Sequence, residues 1–166
     1  MSFLRSFLLI TLPLFVLDQV TKASIVRTFR EGDHFPVVAG FFDIVRVHNT
    51  GVAWGHFNGS SYSNLIFGIV ALAAIAFVLW LWKRQAFPNT PSRIAVFLLL
   101  AGVFGNLTDR IFRGYVVDFL LFYVNEWQWP AFNVADSCIC ISAGLLIVAA
   151  FLPEQKADRA PAPAPD

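Results

Sequence analysis

Four long apolar segments alternate with more polar connections along the chain. They cover roughly residues 7–26, 63–82, 94–112 and 134–152. Each segment is close to the roughly 20 residues that a helix needs to cross a bilayer. The pattern therefore predicts a bundle of four transmembrane helices that forms one membrane-embedded domain over residues 1–152. Residues 153–166 end in alternating alanine and proline, and we expect them to form a disordered tail.

The connections between the apolar segments differ in length and in character. A short one covers residues 83–93, whereas two long ones, residues 27–62 and 113–132, lie on the opposite side of the bundle. In the first of these, Phe41–Val47 is β-branched and aromatic, and Asn49-Thr50-Gly51 supplies a turn signal. This predicts a short strand or hairpin at the membrane surface. Several aromatic residues of the long connections suit the interfacial level, namely Trp54, Phe57, Tyr115, Tyr123, Trp127 and Trp129.

The composition is that of a membrane protein. Hydrophobic residues make up 57% of the 166 and charged residues only 14%, against about a quarter charged in soluble domains. With a net charge of +1 and no basic tract, the sequence gives no support to a nucleic-acid partner. The 12 lysines and arginines divide equally between the two sides of a four-span bundle, so their count alone does not orient the chain.

Two aspartates occupy surroundings that favour opposite protonation states. Asp118 lies in an apolar run over residues 116–122, which would raise its pKa. Asp136 follows Asn133 by three residues, and if Asn133 caps the fourth helix, the helix dipole favours the ionised form of Asp136. Taken singly, Asp118 could be a loop acid that faces water and Asp136 a plain capping residue. Together, one protonated and one ionised carboxyl group are what an acid–base pair requires.

Other polar residues in the apolar segments favour structural roles. Asp18 and Lys22 are four residues apart, which predicts an ion pair on one helix face. Near the end of the third segment, Asn106 can hydrogen-bond across a helix interface. Asp109 has arginines close by, and we expect it to stay ionised in a pair with one of them. The small residues of this segment that allow close helix packing are Gly102 and Gly105.

Metal and serine chemistry find no support in the motifs. The histidines His34, His48 and His56 all fall in the first long connection, and their spacing matches no familiar metal site. We expect them to be solvated loop residues and expect no metal or cofactor. No serine lies in a G-x-S-x-G turn.

Five short motifs follow one another along the chain. They are Asp18-Gln19-x-Thr21-Lys22, Asn49-Thr50-Gly51-x-Ala53, Gly105-Asn106-Leu107-x-Asp109-Arg110, Gly114-x-Val116-Val117-Asp118-Phe119 and Phe132-Asn133-x-Ala135-Asp136-Ser137. One such motif would be weak, but all five in order on a chain of this size are specific. They resemble the motifs of the bacterial lipoprotein signal peptidases, the signal peptidase II family. The resemblance extends from the first apolar segment to the fourth.

The resemblance implies an aspartic endopeptidase without metal or cofactor. Such an enzyme removes signal peptides from diacylglyceryl-modified prolipoproteins by cutting before the lipidated cysteine, at the periplasmic face of the inner membrane. It also implies cytoplasmic termini, a small periplasmic β-sheet, contact with membrane lipids and inhibition by globomycin-type compounds. The family's catalytic pair falls on Asp118 and Asp136. The substrate-binding positions that match are Asn49, Gly51, Asn106, Arg110 and Asn133, whereas Asp18, Lys22 and Asp109 are interpreted as structural.

One position departs from the family pattern. Trp54 stands where the family commonly has phenylalanine, in a loop that the resemblance implies folds over the substrate. We therefore expect the change to affect the closure of this loop and the fit of inhibitors.

Two other functions remain alternatives to proteolysis. A proton-coupled transporter would use the intramembrane acids as a relay, and it predicts carboxylates near the middle of the spans and two pseudo-symmetric halves. The acids here cluster at one level of the bundle instead. A non-catalytic scaffold predicts that both Asp118 and Asp136 tolerate replacement by asparagine.

Overall fold

The computed structural model describes residues 2–51 and 61–153, and the backbone there is mostly helical. In chain order its elements are α1 (Phe3–Thr28, with one π-helical turn over Phe7–Thr11), β1 (His34–Val38), β2 (Phe42–Asn49), α2 (Ser61–Lys83), α3 (Thr90–Arg113), β3 (Val116–Val124), β4 (Trp127–Gln128) and α4 (Val134–Ala150). The predictions for Ala53, Trp54, His56, Phe57 and the tail after residue 153 lie outside the described residues.

Helices α1, α2 and α3 are each long and apolar enough to cross a membrane. Helix α4 is also apolar but shorter, at 17 residues. Three of the four predicted spans are thus present among the described residues as helices of sufficient length. The part of the chain that the structure describes is therefore that of a membrane protein with several crossing helices.

Helix α3 lies at the centre of the bundle because glycines on it let neighbouring helices approach closely. A Cβ atom at Gly102 would lie 2.6 Å from Ile139 Cγ1 on α4. At Gly105 it would lie 2.6 Å from Asp18 Oδ2 on α1 and 2.9 Å from Ala135 Cβ on α4. Real Cβ atoms do not approach other heavy atoms so closely, so only glycine fits at either position. This confirms the predicted close packing of small residues between membrane helices.

Alanine at Gly105 is expected to destabilise the bundle even though alanine is the better helix former by about 1 kcal/mol. The added methyl group must push Asp18 or α4 aside, and such overpacking costs about 1–3 kcal/mol. Thermal unfolding in detergent should show a lower midpoint for Gly105→Ala. The matched control is Gly144→Ala, also in a helix, where the added Cβ has no atom of the described residues within 4 Å. Equal midpoints for the two variants would contradict this packing.

The four strands form one small antiparallel sheet in the order β1-β2-β3-β4. The strand predicted over Phe41–Val47 is present as β2. Strand β3 follows α3 almost directly, because Gly114 ends the helix with φ +80, a left-handed conformation that favours glycine. Residues 113–132, which the sequence predicts to be an aromatic connection, contain this strand. Since β3 carries Asp118, the sheet is part of the site.

His48 differs from the expected solvated loop residue. It lies on β2, its ring stacks on Tyr115 with the centroids 3.7 Å apart, and its Nδ1 is 3.0 Å from a carboxylate oxygen of Glu31. The pKa of His48 is lowered mainly by burial and also by the positive charge of Arg46. The negative charge of Glu31 raises it but does not cancel these effects. His34, in contrast, is more than half exposed on β1.

Candidate active site

Asn133 begins α4 and joins it to Asp136 through a capping box. The side-chain Oδ1 of Asn133 accepts a hydrogen bond from the Asp136 backbone N at 2.9 Å, and Asp136 Oδ2 accepts from the Asn133 backbone N at 3.2 Å. Reciprocal bonds of this kind satisfy the free N–H groups of a helix start. The predicted cap is thus confirmed. Asp136 also contacts a second helix, because its other oxygen, Oδ1, accepts a hydrogen bond of 2.7 Å from Asn106 Nδ2 on α3.

Asp118 is buried on β3, with 2% of its surface exposed. Its Oδ1 accepts from Asn133 Nδ2 at 2.7 Å and its Oδ2 from Asn49 Nδ2 at 2.9 Å. The alternative of a loop acid that faces water is therefore wrong. The sequence neighbours of Asp118 are apolar, but its carboxyl group accepts hydrogen bonds from two amides that other elements supply.

The protonation of Asp118 follows from this burial. Removal from water, and then the negative charge of Asp136, raise the pKa of Asp118 to about 7, whereas the hydrogen bonds from Asn49 and Asn133 lower it. A carboxyl group with this pKa is protonated in a large fraction of molecules near neutral pH. Asp118 can therefore hold a proton next to a second carboxyl group.

The register of the sheet explains how Asn49 reaches Asp118. Asn49 pairs with Val116 and Val47 pairs with Asp118, so Asn49 and Asp118 are diagonal neighbours on one face of the two strands. Asn49 Oδ1 also accepts from the Gly51 backbone N at 2.8 Å. Gly51 has φ +114, and a side chain there would collide with the ring of Phe67 on α2. A glycine is thus required for this turn.

Asn133 brings the two acids together. Its side chain is fully buried, and one amide group donates to Asp118 while its carbonyl oxygen caps the backbone of Asp136. Asn106 completes the arrangement from α3, since its Nδ2 donates to Asp136 and its Oδ1 lies 3.3 Å from Asn133 Nδ2. Three buried or partly buried asparagines therefore hold both carboxyl groups.

A fully buried lysine lies behind the asparagines. Lys22 Nζ is 2.9 Å from Asp18 Oδ2 and 3.1 Å from Asp109 Oδ2, and these three side chains are at most 1% exposed. The ion pair of Asp18 and Lys22 expected from their spacing is present. The predicted arginine partner of Asp109 is Arg113.

The two structural acids also bind backbone groups next to the catalytic candidates. Asp18 Oδ1 accepts from the Ala135 backbone N at 2.8 Å, and Asp109 Oδ2 from the Val117 backbone N at 3.1 Å. Ala135 precedes Asp136 and Val117 precedes Asp118 in the sequence. Each structural acid therefore fixes the backbone immediately before one member of the pair, a function that sequence spacing did not reveal.

The guanidinium group of Arg110 has a buried N–H donor that no described residue accepts. Its Nη1 donates to the Asn106 backbone oxygen at 3.3 Å, and its guanidinium lies over the Phe67 ring, 5.1 Å from the centroid. Its Nε is buried and has no acceptor among the described residues. A buried donor of this kind usually has a partner, and a substrate oxygen could provide one.

Comparison with known proteins identifies relatives over most of the chain. Residues 10–152 match the family described as signal peptidase (SPase) II. The lipoprotein signal peptidase of Syntrophotalea carbinolica is 41% identical over 145 residues, which cover 87% of this chain and 90% of its own. That of Bacillus pumilus is 35% identical over 148 residues, with 89% and 94% covered.

Two solved structures are similar to this chain over most of its length. A bacterial membrane enzyme determined by the in meso method at 2.3 Å resolution superposes with a TM-score of 0.79 and 34% identity, covering 90% of this chain and 89% of the other. A second, at 1.9 Å resolution, gives the same TM-score at 33% identity, with 90% and 95% covered.

Proposed function

Because this chain belongs to the signal peptidase II family, we propose that Asp118 and Asp136 are its catalytic pair. The family assigns the activity, which is that of an aspartic peptidase that removes signal peptides from prolipoproteins. The observation that carries the assignment of residues is the buried amide of Asn133, which contacts Asp118 and caps the helix start that holds Asp136. Two carboxyl groups held in this way share one local environment and titrate as a pair.

The proposed mechanism uses one ionised and one protonated carboxyl group. Asp136, ionised, takes a proton from a water molecule, and the water oxygen attacks the scissile carbonyl carbon. Asp118 holds the shared proton and delivers it to the amide nitrogen as the carbon–nitrogen bond breaks. The pKa of Asp118 near 7 supports this role, since a large fraction of Asp118 is protonated near neutral pH.

The substrate-binding residues we propose are Asn49, Gly51, Asn106, Arg110 and Asn133. The three asparagines already donate to the carboxyl groups, so their main contribution is to hold the acids. The Nε of Arg110 has no acceptor among the described residues, and we propose that it binds a carbonyl oxygen of the signal peptide. Gly51 lets the turn after β2 approach the bundle closely.

We place the catalytic pair at the periplasmic surface of the inner membrane, with both termini in the cytoplasm. Asp136 begins an apolar helix and Asp118 follows the end of α3, so the pair lies where the bundle meets the sheet. At 1.5 Å per residue, the 17 residues of α4 span about 26 Å, close to the roughly 30 Å of hydrocarbon. We therefore take α4 as the fourth span of a single domain over residues 1–152, with the sheet as its periplasmic cover and residues 153–166 as a cytoplasmic tail.

The substrate class follows from this placement. A diacylglyceryl group anchors a cysteine at the membrane surface, at the level of the proposed pair, so a modified prolipoprotein presents its scissile bond there. Compounds that mimic this segment, such as globomycin-type inhibitors, would bind the same site, and membrane lipids would surround it.

A direct assay tests the proposed function. The purified chain, reconstituted in lipid nanodiscs, should cleave a diacylglyceryl-modified precursor before the modified cysteine, as identified by mass spectrometry of the products. The control is the same precursor without its lipid, which should be cleaved far more slowly. Equal cleavage of both precursors, or cleavage at another bond, would contradict the proposed substrate.

The pH dependence of cleavage should report the proton on Asp118. Because the active form needs this proton, kcat/KM is expected to fall as the pH rises through about 7, where Asp118 ionises. The hydrogen bond from Asn49 lowers the pKa of Asp118, so its removal in Asn49→Ala should move the fall to higher pH.

The matched control for this pH dependence is His48→Gln, which removes a titratable neighbour of Asn49 on the same strand. The pH dependence of kcat/KM in this variant should match that of the parent. A profile that moves in His48→Gln but not in Asn49→Ala would assign the titration to the histidine instead.

A further inference from the structure

We propose that Lys22 is a positioning residue for catalysis, which orients the side-chain amide of Asn106 so that its N–H group points at Asp136. This inference rests on the proposed catalytic pair. Lys22 Nζ contacts three acceptors, which are Asp18 Oδ2 at 2.9 Å, Asp109 Oδ2 at 3.1 Å and Asn106 Oδ1 at 3.0 Å. An ammonium group has three N–H donors, so each is used.

The contact with Asn106 is not needed to neutralise charge. Asp18 and Asp109 carry two negative charges, which are balanced by Lys22 and by Arg113, the second partner of Asp109. A buried ion pair requires this balance. The third donor of Lys22 nevertheless points at a neutral amide that belongs to the proposed active site.

Lys22 is the charged and closer of two donors that fix which way this amide faces, since Lys22 Nζ lies 3.0 Å and Asn133 Nδ2 3.3 Å from Asn106 Oδ1. A side-chain amide has an oxygen acceptor and a nitrogen donor of nearly equal size, and an ammonium group can only donate. Lys22 therefore holds Asn106 Oδ1, which leaves Nδ2 directed at Asp136 Oδ1, 2.7 Å away. The reversed amide would place N–H groups against the ammonium and an oxygen against the carboxylate, which are two repulsive contacts.

The orientation of Asn106 matters for the proton shared by the two acids. Asp136 Oδ1 accepts from Asn106 and Asp136 Oδ2 accepts from the Asn133 backbone. Hydrogen bonds donated to both oxygens stabilise the ionised form of Asp136, which is the form that the proposed mechanism uses. Lys22 contacts Asp18, Asp109 and Asn106, and it reaches Asp136 through the amide of Asn106. This distinguishes it from a catalytic residue.

A double-mutant cycle in kcat tests the proposal. Lys22→Met removes the charge, and Lys22→Arg keeps it but replaces the compact ammonium by a longer planar group. Each variant is expected to lower kcat by about 10-fold to 100-fold with little change in KM, the size expected for one misplaced charged hydrogen bond. In an Asn106→Ala background, Lys22→Arg should cause no further fall in kcat, because this variant keeps the positive charge and the group through which Lys22 acts is gone.

The comparator for a merely structural effect is Thr11→Val. Thr11 is fully buried and donates from Oγ1 to the Phe97 backbone oxygen at 2.9 Å, joining α1 to α3 away from the acids. This variant should lower the unfolding temperature but leave kcat unchanged. If Lys22→Met does not fold, the test is made with Lys22→Arg alone, because the arginine keeps the positive charge that balances the buried aspartates.

Two results would overturn the inference. One is an unchanged kcat in Lys22→Arg and in any folded Lys22→Met. The other is a loss of kcat in Lys22→Arg that is just as large in the Asn106→Ala background as in the parent. If Asp118→Asn and Asp136→Asn instead cleave at the parent rate, the proposed catalytic pair itself fails, an outcome that is distinguishable from either of these.

Discussion

Replacement of either Asp118 or Asp136 by asparagine is expected to lower the rate of cleavage by about 10³-fold or more, with the protein still folded. Each acid has a part that an amide cannot take. Asn at position 136 cannot accept a proton from water, and Asn at position 118 cannot deliver one to the leaving nitrogen. The measurement is single-turnover cleavage of the diacylglyceryl-modified precursor in nanodiscs, which separates chemistry from product release.

The matched control for both variants is Asp43→Asn on β2. Asp43 is also a buried acid of the sheet, where it accepts from the Tyr123 hydroxyl at 3.0 Å, away from the proposed pair. Its replacement should leave the cleavage rate within a few-fold of the parent. Near-parental cleavage by Asp118→Asn or by Asp136→Asn would exclude that residue from the chemistry. Full loss in Asp43→Asn would show that acid-to-amide changes in this sheet act through folding.

The second large effect is expected for Asn133→Ala. This change removes the donor to Asp118 and the acceptor that caps the backbone of Asp136, so both acids lose their orientation at once. We expect cleavage to fall by about 100-fold or more, because a misplacement of about 1 Å can have that effect. Loss of the helix cap should also lower the free energy of unfolding by about 1–2 kcal/mol.

Asn89→Ala separates the two effects of the Asn133 substitution. Asn89 is likewise a buried N-cap with a capping box, in its case at the start of α3, and its Nδ2 donates to the Ala149 backbone oxygen at the far end of α4. The two variants should be destabilised alike in thermal unfolding. Only Asn133→Ala should lose activity. Similar cleavage rates for the two variants would show that Asn133 contributes to stability and not to the orientation of the acids.

The helices could be predicted from the sequence because their signals are local. Each apolar segment contains its own evidence of length and composition, and the cap at Asn133 precedes its helix by one residue. The helix boundaries differed from prediction by a few residues, since the first helix begins at Phe3 rather than near residue 7. The ion pair of Asp18 and Lys22 was equally local, because four residues place two side chains on one face.

Strand β3 was missed for a physical reason. Its residues Val116–Val124 form a nearly continuous apolar run and do not alternate, since the first four positions are all buried. Such a run is typical of a fully buried strand as much as of a helix segment. The turn at Gly114 and the β-branched Val116 and Val117 were signals that could have decided the question.

The contacts that hold the two acids lay beyond sequence reasoning because they join distant parts of the chain. Asn49 and Asp118 are 69 residues apart and meet only through the register of β2 and β3. Asp18 and the backbone of Ala135 are 117 residues apart. The motifs marked these residues as a set, but the set became a site only when the helices and the sheet brought its members together.

The most direct test of the account compares the double variant, Asp118→Asn with Asp136→Asn, against each single variant in single-turnover cleavage. If the two acids act as one unit, removal of the first already abolishes the mechanism, and removal of the second costs little more. We therefore predict that the double variant cleaves at about the rate of the slower single variant. Losses that multiply, so that the double variant is slower by the product of the single effects, would show independent roles and contradict a catalytic pair.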